Sequence, residues 1–314
     1  MTEPRTRTPS NPSRGVLLAL GTAAISALSV YVNAFGVKLV ADATVYTTAK
    51  NLVAALILVA LAIAVGGHRE VPALASRQRL GLLAVALLGG SIPFVLFFSG
   101  LAVATAPTAA FIHKTMFVWV ALLAVPLLGE RLGLIPVAAL GVLLLGQVLM
   151  TPPTGLGWGG GETMIAAATL LWSVEVIVAK RLLAGVSAPL LAASRMGLGV
   201  VFLVGYLAVT GRLGGLAALP SEALGVIVAT GALLAGYVAT WYAALRLAPA
   251  TTVTSILVVA AVGTGVLSAL TTGTTPDPRV VVGYLLVIAG VAVVAVAAGR
   301  IHVADGQPRL AGAD

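Results

Sequence analysis

The chain contains no cysteine. Disulfides, thiolate metal sites and cysteine nucleophiles are therefore excluded. Charge is nearly as scarce, at 9% of the 314 residues, where soluble domains carry about a quarter. So few charges cannot cover a water-facing surface. With 60% hydrophobic residues and a mean hydropathy of +1.10, the bilayer is the solvent that accepts this chain. Aromatic residues are only 5%, which leaves a thin interfacial belt. Catalytic groups are also missing. The three histidines (His68, His113, His302) form no HExxH, no paired acids accompany them, and the glycines between Gly155 and Gly161 lack a Walker lysine. No enzyme, cofactor or metal is expected.

What remains is apolar and segmented. After a polar tail of residues 1–14 come ten stretches near the roughly 20 residues that a spanning helix needs. They run over 15–34, 43–66, 80–102, 105–128, 133–151, 162–182, 187–209, 222–245, 250–271 and 279–299. The turn at Thr105-Ala106-Pro107 separates the third and fourth very tightly. The first stretch is longer than the core of a secretion signal and has a counterpart later in the chain, so it reads as a helix. The expected fold class is all-α integral membrane, with ten transmembrane helices in two inverted five-helix repeats. The repeats cover 15–151 and 162–299, joined by a loop at 152–161 and followed by a tail at 300–314.

The net charge of +8 is no nucleic-acid footprint, because Arg and Lys lie in short connections and not along a soluble basic face. Twelve of the eighteen fall on the side of the two tails and the even-to-odd loops, among them Arg69, Arg77, Arg79, Arg131 and Arg181. Only Lys38, Arg212 and Arg279 fall opposite, and Lys50, Lys114 and Arg195 lie within apolar stretches. This asymmetry predicts cytoplasmic termini.

The chain also repeats itself. Lys38 and Lys180, Ala106-Pro107 and Ala248-Pro249, and Gly141 and Gly283 recur at an offset of 142, and Lys50 and Arg195 at 145. Five helices is an odd number, so the second half must enter from the opposite face. Such inverted repeats are common in secondary transporters with a midplane site.

The run Leu127-Leu128-Gly129-Glu130-Arg131-Leu132, followed by the helix containing Gly141, resembles the signature between the fourth and fifth helices of the EamA family of the drug/metabolite transporter superfamily. The basic residue early in the second and seventh helices fits the same pattern. The second half carries Gly273-Thr274-Thr275 instead, and the middles of the fourth and ninth helices lack the family's proline, with Phe117 near the expected place. The resemblance implies a multi-pass carrier or exporter of small metabolites in the bacterial inner membrane. A flippase of a lipid-linked head group is the alternative, with Lys50 and Arg195 at an entrance or at headgroup depth.

Charged groups inside a spanning helix cost about 2.5–3.5 kcal/mol each on insertion scales, so they tend to face cavities. Glu175 lies roughly 20 Å along the sixth helix, beyond easy reach of the headgroups. Trp172 shares its face. Asn33 holds the matching place in the first helix, on a polar stripe with Ser29, Ser26 and Thr22. Lys114 is about 13 Å deep in the fourth helix, next to His113. Tyr237 and Trp241 are candidates to stack on a substrate. Unpaired cations at depth invite an anion such as a substrate carboxylate, and a zwitterion could turn its ammonium toward Glu175. Glu175 is also the candidate carrier if protons are coupled. The expected partners are a small-molecule substrate and the lipid bilayer; oligomeric state is not legible.

Overall fold

The computed structural model describes residues 11–104, 106–151 and 158–306, with side chains throughout except at 106, 107 and 299–306. Most of the expected N-tail and linker, and the end of the C-tail, lie outside the described residues. Among the described residues nine helices are long and apolar enough to cross a membrane. In order they are span 1 (Pro12–Gly36), span 2 (Ala43–Ala64), span 3 (Ser76–Leu101), span 4 (Thr108–Leu128), span 6 (Gly160–Leu182), span 7 (Ala188–Val209), span 8 (Ser221–Leu247), span 9 (Ala250–Thr272) and span 10 (Pro278–Ala298). Span 5 (Leu134–Met150) is a shorter apolar helix. No strand occurs among the described residues. The all-helical membrane fold expected from hydropathy is the fold found.

Local chemistry sets the helix starts. Asp42 caps span 2 through Oδ1, which accepts from the N–H groups of Thr44 (2.7 Å) and Val45 (3.2 Å). Ser187 caps span 7 by accepting from Leu190 N–H, with Pro189 in the first turn. In both helices the eighth residue is basic, Lys50 in span 2 and Arg195 in span 7.

Three spans are interrupted. Span 3 breaks at Ser91 (φ −140°, ψ −72°), and Pro93 opens its second piece. Span 4 breaks at Thr115, whose hydroxyl donates to Ile112 O (2.7 Å). Span 9 breaks at Val258. The fourth and ninth helices are thus discontinuous at corresponding places even though neither has a proline there.

The packing follows the repeat. Span 1 packs on spans 8 and 9, and its counterpart, span 6, packs on spans 3 and 4. Span 2 meets span 8, and span 7 meets span 3. Spans 2 and 7 pack on each other, as do spans 5 and 10, so these two pairs lie on the pseudo-axis. Close crossings need residues without side chains. A Cβ on Gly199 would stand 2.8 Å from Gly90 Cα, which fixes how tightly spans 3 and 7 cross.

Candidate functional site

Where the two halves meet they enclose a cavity of about 450 Å³, within the usual size of small-ligand sites (about 300–1,000 Å³). All ten site residues proposed from the sequence line it: Ser29, Asn33, Lys50, His113, Lys114, Trp172, Glu175, Arg195, Tyr237 and Trp241. Toward the helix ends opposite the chain termini its wall reaches Val37 and Leu101.

Two polar clusters flank the cavity. In the cluster farther from the termini, Lys50 Nζ donates to Asn33 Oδ1 (2.9 Å), and Tyr46 donates to the same oxygen (3.0 Å). The Asn33 amide is oriented by its own helix, donating to Ser29 O (2.7 Å). The Tyr46 hydroxyl also meets Thr230 Oγ1 of span 8 (3.1 Å). Nearer the termini, Glu175 Oε1 accepts from the Tyr242 hydroxyl (2.5 Å), and Arg195 Nη1 stands 3.9 Å from Glu175 Oε2. The two clusters are built from pseudo-equivalent parts: span 1 with span 2, and span 6 with span 7.

Arg195 has a further anchor that hydropathy does not reveal. A helical carbonyl normally accepts from the N–H four residues on, but four residues after Gly89 comes Pro93, which has none. The freed Gly89 carbonyl accepts from Arg195 Nη2 (3.2 Å) and from Trp172 Nε1 (3.1 Å). The signal was a Gly-x-x-x-Pro spacing inside an apolar stretch. Tyr46, Tyr242, Gly89 and the cavity-lining Phe94 and Phe97 are among the site residues that sequence reasoning missed.

Lys50 and Arg195, read from the sequence as lining an entrance or reaching headgroups, are 8% and 7% exposed and bonded to neighbouring helices. Thr22 lies on the expected polar face of span 1 yet does not reach the cavity; it bonds Thr240 of span 8 (2.8 Å). Glu175 is 1% exposed and already engaged by Arg195 and Tyr242, so in this state it is not a free partner for a substrate ammonium.

The middle of the cavity is aromatic. The His113 ring lies 5.0 Å from Trp172 and 5.2 Å from Phe97, and Phe94 meets Trp172 edge-on at 5.4 Å. Across from them Tyr237 and Trp241 stack in parallel, 6.0 Å apart. Between these walls Lys114 makes no hydrogen bond or ion pair among the described residues. No group of three or more metal-ligating side chains occurs among the described residues.

Ten apolar spans in two repeats, with charged side chains facing a cavity between the halves, have the build of a membrane transporter. Both halves match the EamA-like transporter family, over residues 13–151 and 159–296, and the chain belongs to that family. A crystal structure of a protein 18% identical in sequence has the same fold, with a TM-score of 0.71 over 90% of this chain and 98% of that one. No curated protein sequence matches the chain.

Proposed function

We propose that the protein is a secondary transporter that exports a small, carboxylate-bearing metabolite by alternating access across the bacterial inner membrane. The observation that carries this reading is a charge imbalance. Two ammonium groups, Lys50 and Lys114, face the cavity without a carboxylate partner among the described residues, while its Glu175 is engaged by Arg195. A cation held at depth is stabilised by an opposite charge, and a substrate carboxylate between the aromatic walls supplies it at Lys114. The apolar lining accommodates the remainder of a small molecule.

Medium from cells overexpressing the protein, profiled for metabolites against empty-vector and Lys114→Met cells, tests this. A carboxylate-bearing compound should accumulate with the native protein and fall to the vector level with Lys114→Met. Normal transport by both Lys114→Met and Glu175→Gln would remove the site from the mechanism. Accumulation of a compound without an anionic group would remove the substrate class.

A further inference from the structure

Spans 8 and 9 are joined by Ala248 and Pro249 alone. Such a joint leaves unsatisfied groups on both sides. Leu245 O would accept from the N–H of residue 249, but Pro249 has none, and the extended Ala248 carbonyl points out of the helix. On the other side, the first N–H groups of span 9 have no acceptor within their helix.

Two side chains from elsewhere satisfy them. Lys180, at the end of span 6, donates to both Leu245 O and Ala248 O, the latter at 2.7 Å. Glu130, just beyond span 4, accepts from Ala250 N–H (2.5 Å) and Thr251 N–H (3.2 Å). A cation on the carbonyl end of one helix and an anion on the amide end of the next each suit the helix dipoles. Arg181 ties span 6 to Leu127 O (2.5 Å), and Gly15 of span 1 packs so closely on Ala248 that a Cβ there would lie 2.7 Å from Ala248 Cβ. These contacts tie spans 1, 4, 6, 8 and 9 together on the side of the chain termini.

The same parts recur at the other end of the molecule. Lys38 corresponds to Lys180, and Ala106-Pro107 to Ala248-Pro249. By that register Lys38 would meet the carbonyl of Val103, which has no helical donor because residue 107 is a proline. In this structure Lys38 is exposed and its side chain makes no hydrogen bond or ion pair among the described residues. One part is not repeated. Gly129 and Gly273 end spans 4 and 9 in the same left-handed conformation (φ 69° and 66°), but Glu130 follows the first and Thr274 the second.

We propose that Lys180 and Glu130 form a latch closing the cavity on the terminus side, and that Lys38 closes the opposite end by docking on the Val103 carbonyl when this latch opens. Because Thr274 stands where Glu130's counterpart would be, the second latch has half the anchorage. The resting protein therefore favours the state closed toward the termini. This rests on the transporter reading, but the test needs no substrate.

The native chain is free of cysteine, so single reporters are clean. Thr254→Cys places a thiol on the cavity wall near the latch, and Ala34→Cys places one on the wall near the opposite ends. An impermeant maleimide is applied to membrane vesicles from each side. Glu130→Gln should speed labelling of Thr254→Cys from the terminus side by roughly tenfold, the order expected for weakening charge-assisted bonds. It should slow labelling of Ala34→Cys from the opposite side. Lys180→Gln should do the same. Thr274→Glu, an exposed change with little risk to folding, should slow Ala34→Cys labelling by itself. Unchanged labelling of Thr254→Cys in both latch variants would overturn the proposal. So would both reporters speeding up together, which means loosening rather than exchange. A protein that shows the exchange but moves no metabolite would separate the latch from the substrate assignment.

Discussion

Arg195 and Lys50 hold matching positions in their helices, yet their surroundings make them unequal in energy. Removing Arg195 leaves Glu175 buried with only a hydroxyl donor, and breaking a buried pair of this kind costs about 3–5 kcal/mol. Removing Lys50 leaves Asn33 Oδ1, a neutral acceptor, still bonded to Tyr46. In detergent, Arg195→Met should therefore lower the unfolding midpoint much more than Lys50→Met; equal shifts would mean that Glu175 is not held as a carboxylate by Arg195. Outside the spans, Asp42 gives a cleaner titration. Its partial burial disfavours the carboxylate, but bonds from Thr44 and Val45 N–H and the Arg212 guanidinium (3.2 Å) outweigh that and hold its pKa below the usual 3.8. With the folded value below the unfolded one, the contribution is complete above about pH 4 and is lost as pH falls through the folded pKa. Asp42→Asn should remove that acid-side loss from a pH series of unfolding curves.

At the level of the helix, the break in span 3 does more than bend it. Pro93 withholds an N–H from Gly89 O, and that oxygen becomes an acceptor for Arg195 and Trp172. Pro93→Ala restores a competing donor. The expected result is a helix at least as stable as before and a marked fall in transport, read from flux and thermal unfolding on the same preparation. A fall in stability matching the fall in flux would instead assign Pro93 a packing role. The helices themselves were legible in the sequence, because a membrane demands about 20 apolar residues and tolerates few charges. That the charged and polar candidates line a cavity was legible for the same reason, since a polar group in such a stretch needs a polar surface to face. Their partners were not. Which helix meets Glu175 or Asn33 is decided by the crossing of spans, and no period within one helix encodes that. The breaks at Thr115 and Val258 were hidden as well, since no proline marks them.

On the scale of the whole molecule, the positive excess on one set of loops predicts cytoplasmic termini. Two exposed positions check it. Gly214 sits in the loop between spans 7 and 8, where an added Cβ meets nothing within 4 Å, and Ser76 begins span 3 after the opposite loop. In intact cells a cysteine at Gly214 should react with an impermeant thiol reagent and one at Ser76 should not; the reverse pattern would invert the orientation. The two halves also build the site jointly. Thr230 of the second half completes the Lys50–Asn33 cluster, and Gly89 of the first anchors Arg195. Neither half holds a finished cavity wall, so a chain cut between Thr151 and Trp158 should work only when both pieces are made together. The molecule is in effect a dimer whose two subunits have been soldered into one gene. Two identical subunits would be bound to present identical doors. Soldered, they were free to diverge, so that a glutamate guards one threshold and a threonine the other.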